Sequence, residues 1–77
     1  VLTADQLAQT VASIAAAQHD SGALPWPDGH TDPWDHVECA MALTLGGRLD
    51  EARAAYAWMR RTQEPDGVWR MKYEGEA

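Results

Sequence analysis

Residues 18–26 (QHDSGALPW) return in a shortened form at residues 63–69 (QEPDGVW), and this repeated motif decides the fold. Before each copy lies a segment with apolar residues at helical spacing: Leu7, Val11 and Ile14 before the first, and Ala52, Tyr56 and Met59 before the second. The two apolar ladders superimpose at an offset of 45 residues. Self-similarity at such a period is typical of stacked helical repeats, which rarely bury their apolar faces alone. The sequence therefore predicts an all-α piece of a helical array.

Three helices are predicted, an outer one at residues 4–18, an inner one at 33–45 and a second outer one at 49–63. The first begins with a capping box, because Thr3 is a good N-cap and a glutamine follows three positions later. The second begins with Asp32 before a proline and stops at a pair of glycines, which are start and stop signals. Its body is apolar on nearly every face, whereas the third helix is amphipathic, so the second is expected to be buried.

Length and charge limit the class of protein. A compact chain of 77 residues buries only about 60% of the surface that its unfolded form exposes, so its stability is expected to be marginal without staples or partners. We expect residues 1–77 to be a single segment of about one and a half repeats, either a fragment or a unit that associates with itself. The formal net charge of −6, with no cluster of basic residues, argues against nucleic acid as a partner. No apolar run approaches the roughly 20 residues of a membrane span, and a cytoplasmic location is expected.

The spacing of an apolar residue, Gln63, a glycine and a tryptophan within residues 59–69 resembles the QW-type repeat of the squalene cyclase and protein prenyltransferase superfamily. Residues 14–26 match this repeat more loosely, and residues 29–38 look like an inner-helix entrance of actinobacterial prenyltransferase-like proteins. The resemblance implies an α/α toroid, in which inner and outer helices alternate around a cavity. It further implies a prenyltransferase-like or terpene-cyclase-like protein that holds an isoprenoid or other apolar ligand, although a segment of this length is not catalytic alone.

The glutamines and tryptophans of the motif are expected to hold the scaffold. A glutamine at the end of a helix can bind backbone groups that the helix leaves open, and an aromatic ring beyond a glycine turn can cover that polar pair. We therefore interpret Gln18, Gln63, Trp26 and Trp69 as structural.

Candidate catalytic residues cluster at the start of the second helix: Asp32, Asp35, His36 and Glu38. The resemblance places this entrance at the cavity of the toroid. Glu38 stands in an apolar helix, where burial would raise the pKa of its carboxyl group toward the range of a general acid. Structural interpretations stay open for the others, because Asp32 is an ordinary N-cap, Asp35 suits the helix dipole, and His36 can be a buried structural histidine.

Candidate ligand-binding residues are Trp26, His30 and Trp34, since aromatic faces can hold cationic intermediates of isoprenoid chemistry. Two alternatives to the isoprenoid hypothesis remain. A carbohydrate-active toroid would use paired carboxylates and tryptophan platforms on a glycan. A non-enzymatic module would bind further helical repeats or a second copy of itself.

No cofactor motif is present, and no metal is expected. Asp35, Cys39 and a nearby histidine are zinc-ligand types that prenyltransferases use, but the Asp-x-Cys spacing of those enzymes is missing. The Asp-rich motif of class II terpene cyclases is also missing, and residues 32–35 match it only in part. Cys39 is the single cysteine, so no disulfide can form within the chain.

Overall fold

The structure is a computed structural model that describes residues 3–75, and over these residues the chain is all-α, as predicted. Helix α1 spans Ala4–Ala17, α2 spans Pro33–Leu45 and α3 spans Leu49–Thr62. Each boundary lies within about one residue of its predicted position. A closed toroid would require more helices than the three described here, so the toroid stays a prediction.

The predicted start signals of two helices form as expected. Thr3 Oγ1 accepts a hydrogen bond from the Gln6 amide at 3.1 Å, and Gln6 Oε1 accepts one from the Thr3 amide at 2.9 Å, which completes the capping box. Asp32 Oδ1 accepts from the Trp34 amide at 2.8 Å and so caps α2. These bonds satisfy backbone donors that the first turn of a helix leaves open.

One type of turn occurs three times in the described residues, at 19–23, 26–30 and 64–68. In each, the amide of the first residue donates to the carbonyl of the fifth, at 2.9, 2.7 and 2.7 Å. The fourth residue is a glycine with φ of 96°, 96° and 93°, a backbone conformation that side chains disfavour. The amide of the fifth donates to a serine or aspartate side chain at the third, at 3.3, 3.0 and 3.3 Å.

These turns correct the predicted alignment of the repeat. Gln18 Nε2 donates to the Gly22 carbonyl at 3.1 Å, and Gln63 Nε2 donates to the Gly67 carbonyl at 2.7 Å, so the two copies correspond without any shortening. Leu24 therefore holds the position of Trp69, while Trp26 begins the extra turn. The sequence comparison had matched the two tryptophans because it followed residue type rather than the backbone.

The core lies between the three helices and the turn at residues 19–23. Its largest apolar cluster contains Val11, Leu24, Ala40, Leu43, Ala52 and Ala55. A second cluster joins Ala23, Trp58 and Tyr73. Trp58 is fully buried, as are the alanines on the facing surfaces of α2 and α3, where small side chains let the two backbones approach closely.

Helix α2 is not buried on all sides, contrary to the prediction. Only one face packs on the other helices, and the opposite face carries Trp34, Met41 and Leu45, which are 77%, 54% and 79% exposed. Glu38 lies on the same face and is also exposed. The physical reason is that α1 and α3 can cover only one side of a helix, and no further element in residues 3–75 covers the other.

The segment after Trp69 has no clear period in the sequence, yet it is tied to the fold. Thr31 and Tyr73 exchange two backbone hydrogen bonds of 2.7 and 2.8 Å in an isolated β-bridge. The Tyr73 hydroxyl donates to the Thr62 carbonyl at 3.1 Å, and its ring meets Trp58 edge-on at 5.0 Å. The segment thereby closes the end of α3 against the loop before α2.

We expect Gln18→Ala to destabilise the chain more than Gln63→Ala. Gln18 Nε2 also donates to the Glu51 carbonyl of α3 at 2.9 Å, in a half-buried position, whereas the bond of Gln63 is exposed and local. Losing the two hydrogen bonds of Gln18 should lower the unfolding free energy by about 1–3 kcal/mol, whereas losing the single bond of Gln63 should lower it by about 0.5–1.5 kcal/mol. Urea denaturation followed by circular dichroism measures both values, and equal costs would contradict the importance of the link to α3.

Candidate functional site

The predicted site residues do not form a single cluster. They divide into a surface network, a buried histidine, a cap and an exposed groove. The network holds Trp26, His30 and Asp35, the buried group is His36, and the groove holds Trp34 and Glu38. The cap is Asp32, which also borders the groove. All surround the first two turns of α2, which the Asp32 cap and the turn at residues 26–30 hold in place.

The surface network fixes the Asp35 carboxylate. Trp26 Nε1 donates to Asp35 Oδ2 at 2.8 Å, and the Trp26 ring stacks on the His30 imidazole with centroids 5.7 Å apart and planes 10° apart. His30 Nδ1 lies 2.5 Å from Asp28 Oδ1. The backbone N–H of His30, followed by its ring, lowers the pKa of Asp28 below its ordinary value. Asp28 was missed from sequence, although its place before the glycine of the turn could have indicated it.

His36 lies in the core and uses both ring nitrogens. Nδ1 accepts a hydrogen bond from the Leu24 amide at 3.1 Å, and Nε2 donates to the Ala55 carbonyl at 2.8 Å, which requires the Nε2–H tautomer. The residue has no exposed surface, and its ring lies 4.5 Å from that of Trp58. Burial lowers the pKa of His36 below its ordinary value, despite the Ala55 hydrogen bond, so the ring is neutral at pH 7. In this arrangement neither nitrogen points to a ligand.

Glu38 is exposed, so the expectation that it is buried is wrong. That expectation assumed that α2 would be surrounded by other helices, but Glu38 lies on its uncovered face. The carboxylate instead lines an open groove on the surface.

The groove lies between the uncovered face of α2 and the turn at residues 64–68. A cavity of about 470 Å³ is lined by Pro33, Trp34, Val37, Glu38, Met59 and Trp69. A neighbouring cavity of about 550 Å³ shares three of these residues: Pro33, Trp34 and Trp69. We call the two together the tryptophan groove. Trp69 Nε1 donates to the Met59 carbonyl at 2.8 Å and so holds one wall of it in place.

Trp69 had been interpreted only as part of the scaffold. Its hydrogen bond to α3 fits that role, but the ring also lines both cavities of the tryptophan groove. Little in the sequence indicates this second role, because Trp34 and Trp69, which meet at the groove, stand 35 positions apart in the chain.

Within residues 3–75, no group of three or more His, Cys, Asp and Glu side chains could hold a metal ion. Burial, with the negative charges of Asp35 and Glu38, raises the pKa of the half-buried Cys39 thiol, which therefore stays protonated at neutral pH. No helix in this part of the chain is both long and apolar enough to cross a membrane.

The chain is similar to a known protein over most of its length. No family model matches the chain. The chain is 64% identical over 70 residues to a protein of Mycolicibacterium hassiacum named MMP endo-(1,4)-3-O-methyl-alpha-D-mannosidase. The matched region is 90% of this chain but only 20% of that protein, so the chain spans about a fifth of its relative's length.

This similarity overturns the resemblance to squalene cyclases and prenyltransferases, together with the isoprenoid function that it implied. The earlier resemblance depended on a few residues that build a turn, whereas the new one extends over nine-tenths of the chain. The protein that this chain resembles is named as a glycosidase, which agrees with the carbohydrate alternative.

Proposed function

We propose that the chain is a segment of a glycoside hydrolase that cleaves an α-linked, O-methylated mannose polysaccharide. The observation that carries this proposal is the 64% identity to a protein named as such an endo-mannosidase. Because the chain spans 20% of that relative, hydrolysis is proposed for the complete protein that contains the segment, and not for the segment alone.

The start of α2 offers the functional groups that glycoside cleavage needs. Glycosidases place two carboxyl groups on either side of the scissile bond, one as acid and the other as base or nucleophile. Asp32, Asp35 and Glu38 follow one another at intervals of three residues, so neighbouring β-carbons on the helix are about 5–6 Å apart. We propose that one or more of these carboxylates contribute to the active site.

Asp35 is the best candidate among them. Its Oδ2 accepts from Trp26 Nε1, which leaves Oδ1 for a substrate or a water molecule, and the stacked His30 keeps Trp26 in place. Geometry held in advance is what a catalytic carboxylate requires. Trp26 and His30 would then act as positioning residues, and Asp32 would serve mainly as the helix cap.

The uncovered face of α2 also supports the predicted contact with further helices. Met41 and Leu45 lie in the C-terminal half of this face, away from the tryptophan groove, and are largely exposed. We propose that further repeats of the complete protein, or a second copy of the chain, cover these two side chains. Removing their apolar surface from water would stabilise the assembly by about 25 cal/mol per Å² buried.

The hydrolase proposal is tested on the complete protein with α-1,4-linked oligosaccharides of 3-O-methylmannose. We expect mass spectrometry to show shorter oligosaccharides with new reducing ends. Asp35→Asn should lower kcat by about 10²–10⁴-fold, because general acid–base or nucleophilic help is lost while the shape is kept. Asp50→Asn, an exposed position on α3, is the matched control and should leave kcat unchanged. Failure to cleave any glycan would contradict the proposal.

A further inference from the structure

The tryptophan groove offers a binding surface that is separate from the carboxylate network around Asp35. We propose that this groove is a subsite for an O-methylated mannosyl residue, which lies against the indole rings of Trp34 and Trp69 with its methyl group toward the apolar wall. The proposal rests on the proposed function, because the class of sugar comes from the named substrate of the relative.

The two indole rings are suited to hold a sugar. Trp69 is anchored through its N–H to the Met59 carbonyl at 2.8 Å, and yet the residue remains 36% exposed. Trp34 is 77% exposed, and its backbone is fixed by the Asp32 cap. Both line each of the two cavities. Rigid aromatic rings with exposed faces provide a large contact area with little loss of conformational freedom.

The remaining wall of the 470 Å³ cavity favours a methyl ether over a free hydroxyl group. Pro33, Val37 and Met59 supply only apolar side-chain surface there. A sugar hydroxyl that turned toward this wall would lose its hydrogen bonds to water without finding a partner, whereas a methyl ether has no donor to leave unpaired. An added methyl group in an apolar pocket typically changes binding by roughly 10- to 200-fold.

Glu38 adds the polar contact that fixes orientation. Its exposed carboxylate lies among the apolar residues of the 470 Å³ cavity and can accept hydrogen bonds from the unmethylated hydroxyls of the same sugar. Small-ligand sites are typically about 300–1,000 Å³, mostly apolar, with a few polar groups placed to orient the ligand. The 470 Å³ cavity of the tryptophan groove has this composition.

The subsite is tested by binding and is separable from the test of hydrolysis. Isothermal titration calorimetry on the complete protein, with Asp35→Asn to prevent turnover, would compare an oligosaccharide of 3-O-methylmannose with its unmethylated counterpart. We expect the methylated ligand to bind at least about 10-fold more tightly. Trp34→Ala should remove most of this preference, and Trp69→Phe, which keeps an aromatic platform, should retain more of it. Tyr56→Ala, an exposed aromatic position on α3 outside the groove, should change nothing.

Three outcomes overturn the subsite. Binding that shows no preference for the methylated ligand contradicts the role of the apolar wall. A preference that survives Trp34→Ala places the methyl group elsewhere in the protein. If Trp34→Ala lowers the thermal stability of the complete protein but leaves binding intact, another part of the protein covers the groove. If the protein binds the methylated ligand through Trp34 but cleaves no glycan when Asp35 is intact, the subsite stands and only the hydrolase proposal fails.

Discussion

Gly22→Ala is expected to remove a large fraction of the stability of the chain, while the same substitution at Gly29 should remove less. Both glycines occupy the fourth position of the same type of turn, and both have φ of 96°. A β-carbon on Gly22 would lie 2.3 Å from the Ala54 carbonyl oxygen and 2.9 Å from its carbon, whereas one on Gly29 would have no atom within 4 Å. Ala54 is in the middle of α3, so its backbone cannot move without displacing the helix.

The two substitutions therefore separate backbone conformation from packing. An unfavourable positive φ costs about 1–3 kcal/mol, which both variants share. The collision at Gly22 adds about 1–3 kcal/mol or more. A domain of 77 residues is expected to have a net stability of about 4–12 kcal/mol, so the combined cost is a large fraction of it. Urea denaturation of both variants measures the difference in their unfolding free energies. Equal losses would show that the turn at residues 19–23 does not pack on α3 as described.

The local features of the fold could be predicted from sequence because their causes are local. The capping box of Thr3 and Gln6 and the N-cap at Asp32 each involve residues at most three positions apart. The special role of Gly22 could not be predicted in this way, since Gly67 holds the same position in the same type of turn with nearly the same φ, but a β-carbon there would meet only Gln63 Nε2 at 3.8 Å. The difference between them is a tertiary contact with α3.

Burial on α2 illustrates the same limit. The apolar composition of the helix predicted that Glu38 would be desolvated, but burial depends on how many elements surround a helix, which periodicity does not count. Only one face of α2 is covered in the described residues, by α1 and α3. Glu38 therefore lies in a groove at the surface, where it can bind a ligand.

The mistaken family resemblance also has a structural explanation. The motif from Gln63 to Trp69 describes how a glutamine and a glycine build a turn, and the same backbone turn recurs at residues 26–30 without any glutamine. Such a motif reports local geometry and carries no information on the reaction. Carboxylates and tryptophans at the start of α2 suited isoprenoid and glycan chemistry almost equally, so composition could not choose between them.

His36→Leu is expected to cost about 2–4 kcal/mol of unfolding free energy. The substitution leaves the buried Leu24 N–H without an acceptor and removes a hydrogen bond from the Ala55 carbonyl. His30→Gln is the control, because His30 lies at the surface and its loss should cost much less. Thermal or urea unfolding measures both, and a fully stable His36→Leu variant would contradict the buried geometry.

The pH dependence of stability distinguishes this structural role more sharply than the size of the loss. Burial lowers the pKa of His36 in the folded chain, whereas the unfolded chain takes up the proton near pH 6.5. The unfolded state therefore binds more protons below that pH, and stability should fall as the pH decreases from about 6.5, by at most about 1.4 kcal/mol per pH unit. Carboxylates with lowered pKa, such as Asp28 and Glu51, lose their contributions only in more acidic solution.

Between pH 7 and pH 5.5 the loss of stability should thus belong mainly to His36, and it should disappear in His36→Leu while persisting in His30→Gln. A profile unchanged by His36→Leu would mean that the ring is able to accept a proton in the folded chain, which its two backbone hydrogen bonds do not permit without breaking the contact to Leu24. The imidazole of His36 could then take part in proton transfer, but only after the first turns of α2 opened to expose it.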